Sequence, residues 1–171
     1  YTLTNLKNIS TFFFVNNINM TAFNPTTLAY VGGGITYQGF GTCPLIQSGL
    51  LGLQRIVGTL SVSNMPSLTT FSLAALISIE GTGTSIGFQT STAALSSFTI
   101  TNGTLKKVAG NVIFTSCALT QSSVDNILVT LASLDGTNGT TTYSSKTVTL
   151  TGTSSAPSAT GTAAKATLVA R

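Results

Sequence analysis

The chain has 171 residues, a formal net charge of +4 and 6% charged residues, against about 25% in ordinary globular domains. It contains no His, which excludes His-dependent acid–base and triad chemistry in this chain. Because 42% of the residues are apolar and recur in register, the composition predicts a folded domain rather than a disordered segment.

A phrase that recurs along the first two thirds of the chain predicts its architecture. The phrase consists of Leu, two residues, Ile or Val, a Gly-rich turn and a short apolar strand. Repeats of this length belong to solenoids, in which each coil buries its apolar face by stacking on the next. We therefore predict a mainly β fold, a right-handed parallel β-solenoid of about five coils from Leu6 to Leu119. The copies begin at Leu6, Leu28, Leu53, Leu76 and Leu105, which are 22, 25, 23 and 29 residues apart.

Two strands are predicted in each coil, with alternate side chains pointing into the core. The first strands centre on the triplets 12–14, 35–37, 60–62, 86–88 and 112–114, and the outer two residues of each triplet are assigned to the core. In the first triplet this places Phe12 and Phe14 inside and Phe13 outside. The second strand is clearest at 68–73 and 95–100, with an earlier counterpart at 20–23. The predicted core comprises Leu60, Val62, Phe71, Leu73, Ile86, Phe88, Phe98, Ile100, Val112 and Phe114.

The coil from residue 53 to residue 73 carries a recognisable motif. The stretch carries almost all of the pattern Leu-x-x-Ile-x-Gly-x-Leu-x-Ile-x-Asn-x-x-x-Leu-x-x-Leu, through the residues Leu53, Ile56, Gly58, Leu60, Val62, Asn64, Leu68, Phe71 and Leu73. This order resembles the receptor-L type of the leucine-rich-repeat superfamily, and the resemblance extends over about Leu6 to Leu119. It implies a leucine-rich-repeat stack that serves as a binding scaffold for partners of many kinds.

After residue 119 the pattern predicts a small α/β C-terminal cap. A helix starts near 120–123, with Ser122 or Ser123 as its N-cap, and a strand follows from Lys146 to Leu150. A second helical segment runs from about Gly161 to Ala170. We divide the chain into a leucine-rich-repeat-like solenoid, residues 1–119, and a helix-strand-helix cap, residues 120–171, that covers the apolar end of the stack. The predicted apolar face of the first helix comprises Val124, Ile127, Leu128, Leu131 and Leu134.

Three segments of the cap carry a second resemblance. They are Ser123-Val124-Asp125, Ala156-Pro157-Ser158-Ala159 and Ala163-Ala164-Lys165-Ala166-Thr167-Leu168. In this order they resemble the C-terminal cap of phage and bacterial surface repeat proteins, which implies a location on a virion surface or at the cell surface or outside the cell. We also expect the native chain to continue before Tyr1, or another chain to dock against the first coil, because residues 1–5 are too short to cover it.

No group of side chains in the sequence is arranged for catalysis or metal binding. Asp125 and Asp135 are ~15 Å apart on a regular helix, too far for a catalytic carboxylate pair, and Glu80 lies in a distant turn. Cys43 and Cys117 are about three coils apart, beyond the ~7 Å between Cα atoms that a disulfide spans, so we predict two free buried thiols. We therefore predict no enzyme activity, no cofactor and no metal.

The basic residues Lys7, Arg55, Lys106 and Lys107 fall in the two-residue gaps of the recurring phrase, which aligns them along one edge of the solenoid. A nucleic-acid stripe is one interpretation, but no aromatic residues interleave for stacking. A solvated edge that discourages side-by-side pairing is the interpretation we adopt. We therefore predict no nucleic-acid binding. We also predict no membrane insertion, because no apolar run approaches the ~20 residues that span a bilayer.

The remaining candidate for function is the outward face of the first strands, which is rich in hydroxyls and amides and free of charge. We predict that it binds a glycan or protein of the host surface, in an adhesion or receptor-binding module such as a phage tail fibre. The alternative is that copies of the chain cover this face, in a virion decoration protein or a secreted bacterial fibril protein. Either way we expect a longer chain or a homo-oligomeric assembly. The predicted ligand-binding residues are Thr36, Gln38, Thr59, Ser61, Ser63, Ser85, Gln89 and Thr115.

Overall fold

The computed structural model describes residues 5–11, 13–15, 21–39, 44–90 and 92–171. Up to residue 119 the chain winds into a parallel β-solenoid whose three sides are three parallel sheets. The predicted parallel solenoid is confirmed. Each complete coil has three strands where the sequence indicated two, because the recurring phrase itself contains a strand of two residues.

Sheet A, the first side, is built from this additional strand. Its strands contain the second variable position of the phrase and the Ile or Val that follows it. The Ile or Val points into the core, while the residue before it faces outward. In order along the sheet the strands are β1 (Asn8–Ile9), β4 (Tyr30–Val31), β7 (Arg55–Ile56), β10 (Ser78–Ile79) and β13 (Lys107–Val108).

Sheet B, the second side, has six strands and contains the predicted first strand of every coil. Phe13 pairs with Ile35 and packs against the core, so the prediction that Phe13 points outward is wrong. The predicted register of this strand differs from the observed register by one residue. Phe12 and the side chain of Phe14 lie outside the described residues. The strands of sheet B are β2 (Phe13–Val15), β5 (Ile35–Gln38), β8 (Leu60–Ser63), β11 (Thr84–Gln89), β14 (Asn111–Cys117) and β15 (Val148–Gly152).

Sheet C, the third side, has four strands and contains the predicted second strands. Phe71 pairs with Phe98 and Leu73 with Ile100, as the similarity of the two segments indicated. In the second coil Ser48 replaces the aromatic residue, and its hydroxyl donates to the Phe23 carbonyl. The strands are β3 (Ala22–Phe23), β6 (Gln47–Gly49), β9 (Thr70–Leu73) and β12 (Ser97–Ile100).

Aromatic rings form the centre of the core. From Phe13 the ring contacts pass to Phe23 at 5.9 Å, then to Tyr37 at 6.1 Å and Phe71 at 5.3 Å. They continue through the rings of the next two coils. All ten predicted core residues are buried, with at most 1% of their surface exposed. One column of side chains from sheets B and C therefore ties the coils together.

Among the described residues, four coils have all three strands, and the fifth has only β13 and β14. Helix α1 (Gln121–Ala132) takes the place of its third strand, so the solenoid has about four turns, slightly fewer than predicted. Thr120, not Ser122 or Ser123, is the N-cap, and its side chain accepts from the Ser123 N–H. The predicted apolar face of α1 is buried. The cap is completed by β15, which pairs parallel to β14, and by helix α2 (Ala159–Val169).

Helix α1 closes the open edge of sheet C with side chains that take the place of a neighbouring strand. Asn126 accepts from the Ile100 N–H at 2.9 Å and donates to the Ile100 carbonyl at 3.0 Å. Ser123 accepts from the Phe98 N–H at 3.1 Å and donates to the Ser96 carbonyl at 3.2 Å. The Phe98 N–H and both backbone groups of Ile100 are thereby satisfied, although no further strand of the described residues follows β12 in sheet C.

We expect Asn126→Ala to lower the free energy of unfolding by about 1–3 kcal/mol, because it leaves both backbone groups of Ile100 without their partner. Urea unfolding followed by circular dichroism measures this loss, and amide hydrogen exchange at Ile100 locates it. Ser122→Ala, at an exposed position on the same helix, is the matched control and should change stability by no more than about 0.5 kcal/mol. Equal effects of the two substitutions would contradict the role of Asn126.

Candidate functional site

The outward face of sheet B carries side chains in two rows, which we call the polar strip. In-register parallel pairing stacks equivalent positions of successive coils about 4.8 Å apart. The first row consists of Thr36, Ser61, Gly87, Ile113 and Thr149. The second row consists of Gln38, Ser63 and Gln89.

The polar strip offers hydrogen-bonding groups without charge. Gln89 is exposed, and the other polar residues of the strip are half-buried. Gly87 has no side chain, and those of Thr84 and Gln89 flank its outer surface. Hydroxyl and amide groups both donate and accept, so the strip can pair with hydroxyls, amides or backbone groups of a ligand.

Thr59 and Thr115, two further predicted site residues, lie beside the strip. Thr59 precedes β8 and is half-buried, and its backbone carbonyl accepts from the Ile35 N–H at 2.8 Å. Thr115 follows Phe114 on β14, and its hydroxyl lies 3.5 Å from the Phe88 carbonyl. Both hydroxyls are at the margin of the polar strip.

The placement of Ser85 on this face is wrong. Its side chain is buried, and its hydroxyl donates to the Gly81 carbonyl and accepts from the Gly110 N–H, both at 2.7 Å. The pairing between β11 and β14 shifts register between Thr84 and Ile86, so Ser85 is an extra residue in a bulge. The bulge turns the side chain away from the face that strict alternation would give it. Ser85 therefore connects two turns and belongs to the interior.

Thr149 is the one hydrogen-bonding side chain of the strip that was absent from the predicted site. Thr149 continues the first row because β15 pairs with β14 and sets Thr149 beside Ile113. The sequence predicts a strand near this position, but no local pattern identifies its partner. The cap therefore extends the polar strip beyond the repeats.

The charged side chains of the repeats lie on or next to sheet A, and three of them, Arg55, Glu80 and Lys107, pair with one another. Arg55 donates to both carboxylate oxygens of Glu80 at 3.2 Å, and the Lys107 ammonium is 4.0 Å from the same carboxylate. Hydrogen bonding from Arg55 lowers the pKa of Glu80, and the same contact raises the pKa of Arg55. The Arg55 guanidinium also lies 5.7 Å from the centre of the Tyr30 ring. This pairing neutralises part of the predicted basic edge, which weakens the nucleic-acid interpretation.

The buried titratable groups Tyr37 and Cys117 are part of the hydrophobic core. Burial raises the pKa of Tyr37, whose hydroxyl lies 3.1 Å from that of Ser48. Burial likewise raises the pKa of the Cys117 thiol, which contacts the Thr92 hydroxyl at 3.3 Å. A thiol with a raised pKa is a poor nucleophile at neutral pH. Cys43 lies outside the described residues.

The carboxylates of the cap have structural partners. Asp125 accepts from the Ser158 N–H at 2.9 Å, at the N-cap of α2. Asp135 accepts from the N–H and the hydroxyl of Thr137, and these hydrogen bonds lower its pKa. Within the described ranges, no cluster of three His, Cys, Asp or Glu residues could hold a metal ion. In the same part of the chain, no helix is long and apolar enough to cross a membrane.

The fold and this face define a parallel β-solenoid with an α/β cap and an uncharged polar strip. No protein-family model, no curated protein and no solved structure matches the chain. The resemblance to the leucine-rich-repeat superfamily therefore stays a prediction that rests on the motif in the sequence.

Proposed function

We propose that the chain is a non-catalytic adhesion or receptor-binding module on a virion surface, such as part of a phage tail fibre, and that the polar strip is its contact face. The observation that carries the proposal is the stacking of uncharged hydrogen-bonding side chains in two rows on one sheet. The ligand is a glycan or protein of the host surface, since both present hydroxyl and amide groups that such rows can bind.

Three features of the molecule support this proposal. The strip is held on a rigid scaffold, because the side chains that alternate with it on β5, β8, β11 and β14 are fully buried. The ion pairs that Glu80 forms with Arg55 and Lys107 lie on a different side of the solenoid, at sheet A. The bonded carboxylates and the buried thiol lack the arrangement that acid–base or nucleophilic catalysis needs.

The test uses two substitutions within the second row, Gln38→Ala and Gln89→Ala. Each removes an amide that can make one or two hydrogen bonds, so we expect each to weaken binding to the cognate surface by about two- to tenfold. Binding of the fluorescently labelled protein is measured on a panel of intact bacteria and on arrays of their purified surface polysaccharides.

Thr99→Ala is the matched control, because Thr99 is an exposed residue of sheet C, away from the strip. It should bind like the unmodified protein. If all three variants bind as well as the unmodified protein, the role of the strip is refuted. If the unmodified protein binds no cell, polysaccharide or surface protein, the adhesin proposal is refuted.

The alternative is a self-assembling structural subunit, and one feature of the strip favours it. The first row contains the half-buried Ile113, an apolar side chain better suited to a protein neighbour than to a glycan. Sedimentation velocity and hydrogen exchange over a range of protein concentrations separate the two proposals. Protection of β5 and β8 that rises with concentration would support self-assembly through this face.

A further inference from the structure

A groove of about 720 Å³ lies in the cap, between β15 and the two helices. Clefts that bind ligands measure roughly 300–1,000 Å³. Its apolar lining comes from Val124 and Leu128 of α1, Val148 and Leu150 of β15 and Leu168 of α2. The side chains of Val148, Leu150 and Leu168 pack against the core but are only half-buried. Apolar surface at the end of the stack is therefore left partly uncovered.

One wall of the groove is the free edge of sheet B. β15 is the last strand of that sheet, and no other strand of the described chain pairs with its outer side. The Thr147 carbonyl accepts from the Val112 N–H at 3.0 Å and so points towards β14. Because backbone groups alternate in direction along a strand, the N–H and C=O groups of Val148 and Leu150 point to the open side. They form a template for one more strand.

The other two sides of the stack are already closed at this end. Helix α1 bonds to β12 of sheet C through Ser123 and Asn126. The edge of sheet A is covered by the segment after α1, where the Thr141 N–H donates to the Lys106 carbonyl at 2.8 Å. A whole coil of a second copy therefore cannot continue all three sheets, whereas a single extended strand fits the side that is open.

The groove is positively charged. Lys146, Lys165 and Arg171 are among its lining residues, and no carboxylate side chain of the described residues lines it. Lys146 and Lys165 are exposed at the rim. This charge favours an occupant that carries acidic residues at its ends.

We propose that the groove binds an extended acidic peptide segment of a partner protein, which adds to β15 as a seventh strand of sheet B. Its backbone pairs with Val148 and Leu150, alternate apolar side chains fill the groove, and its carboxylates lie near Lys146 and Lys165. This is the β-augmentation mode of peptide recognition. It uses the opposite face of β15 from Thr149, so it is independent of ligand binding at the polar strip.

The probe is a labelled, end-capped peptide that alternates Val and Thr and has an Asp at each end. We expect saturable binding by fluorescence anisotropy, weakening as salt rises, and protection of the Val148 and Leu150 amides from hydrogen exchange. The same peptide with N-methyl groups on its pairing amides should lose binding, since it cannot donate to β15. Lys165→Glu should weaken binding about threefold or more, whereas Lys7→Glu, an exposed control at the other end of the solenoid, should not.

The outcomes that overturn the proposal are distinct. Equal binding of the N-methylated peptide, or no protection at Val148 and Leu150, would show that the edge is not the site. Equal binding of a peptide with Lys at both ends would refute the acidic partner. Protection of the two amides in the protein alone, rising with its concentration, would identify a second copy as the occupant instead.

Discussion

Phe114→Ala is expected to lower the free energy of unfolding by about 3–5 kcal/mol, because it removes a buried ring and leaves a cavity. The Phe114 ring is fully buried and stacks on Phe88 with ring centres 4.9 Å apart. It also meets Phe98 edge-on at 4.8 Å. Stacked coils cannot close around the resulting cavity without breaking the hydrogen bonds between strands, so little of the loss is recovered by relaxation. Equilibrium urea unfolding, with the midpoint and the slope fitted separately, measures the change.

Ile113→Ala is the control for this result, because Ile113 neighbours Phe114 on β14 but lies on the outward face. Ile113→Ala removes a smaller, aliphatic group from a half-buried position, and its cost should be lower than that of Phe114→Ala by about 2 kcal/mol or more. Similar losses for the two variants would show that the register of β14 is wrong.

Gly58→Ala is expected to destabilise the protein by about 1–3 kcal/mol, although it adds only one methyl group. A Cβ at this position would lie 2.7 Å from the Gly34 nitrogen and 2.8 Å from the Gly33 carbonyl carbon. These neighbours are backbone atoms of the preceding coil, which cannot turn aside as a side chain can. Gly81 of the next coil approaches Gly58 in the same way. The corner between sheets A and B therefore requires glycine where successive coils meet backbone to backbone.

Gly83→Ala tests whether this effect comes from contact between coils or from replacing a glycine as such. Gly83 lies at the same corner, but a Cβ there would meet nothing within 4 Å. Its substitution should change stability by no more than about 0.5 kcal/mol in either direction. Equal thermal and urea stability of the Gly58 and Gly83 variants would argue against close packing at Gly58.

The two proposed binding sites share strand β15. Thr149 extends the polar strip on the outer face, while Val148 and Leu150 line the groove on the inner face. A partner strand added to β15 would also lengthen sheet B, and with it the surface that carries the strip. The cap therefore does more than cover the end of the stack, because it also presents the one open strand edge at that end.

The sequence by itself determined the repeat, the core of the later coils and the cap helix. These follow from spacing: Leu, Ile and Phe recur at a coil period, and alternation within 60–62, 86–88 and 112–114 assigns one face to the core. The helical spacing of Val124, Ile127 and Leu131 likewise needs no knowledge of their partners. For the same reason most of the polar strip could be predicted, since a residue between two core positions of a strand must face outward.

Only the tertiary structure decided the register of the first coil, the position of Ser85 and the number of complete coils. Three consecutive Phe residues at 12–14 give no alternation, and a slip of one residue exchanges the two faces, so pairing with Ile35 sets the register. The bulge at Ser85 depends on its hydrogen bonds to Gly81 and Gly110, residues of two different turns. Helix α1 replaces a strand because Ser123 and Asn126 satisfy the edge of β12 across 25 and 26 residues of sequence. Local sequence patterns predict the period of the repeat. Strand register and the closure of sheet edges depend on pairs of segments that are distant in sequence and come into contact only in the folded protein.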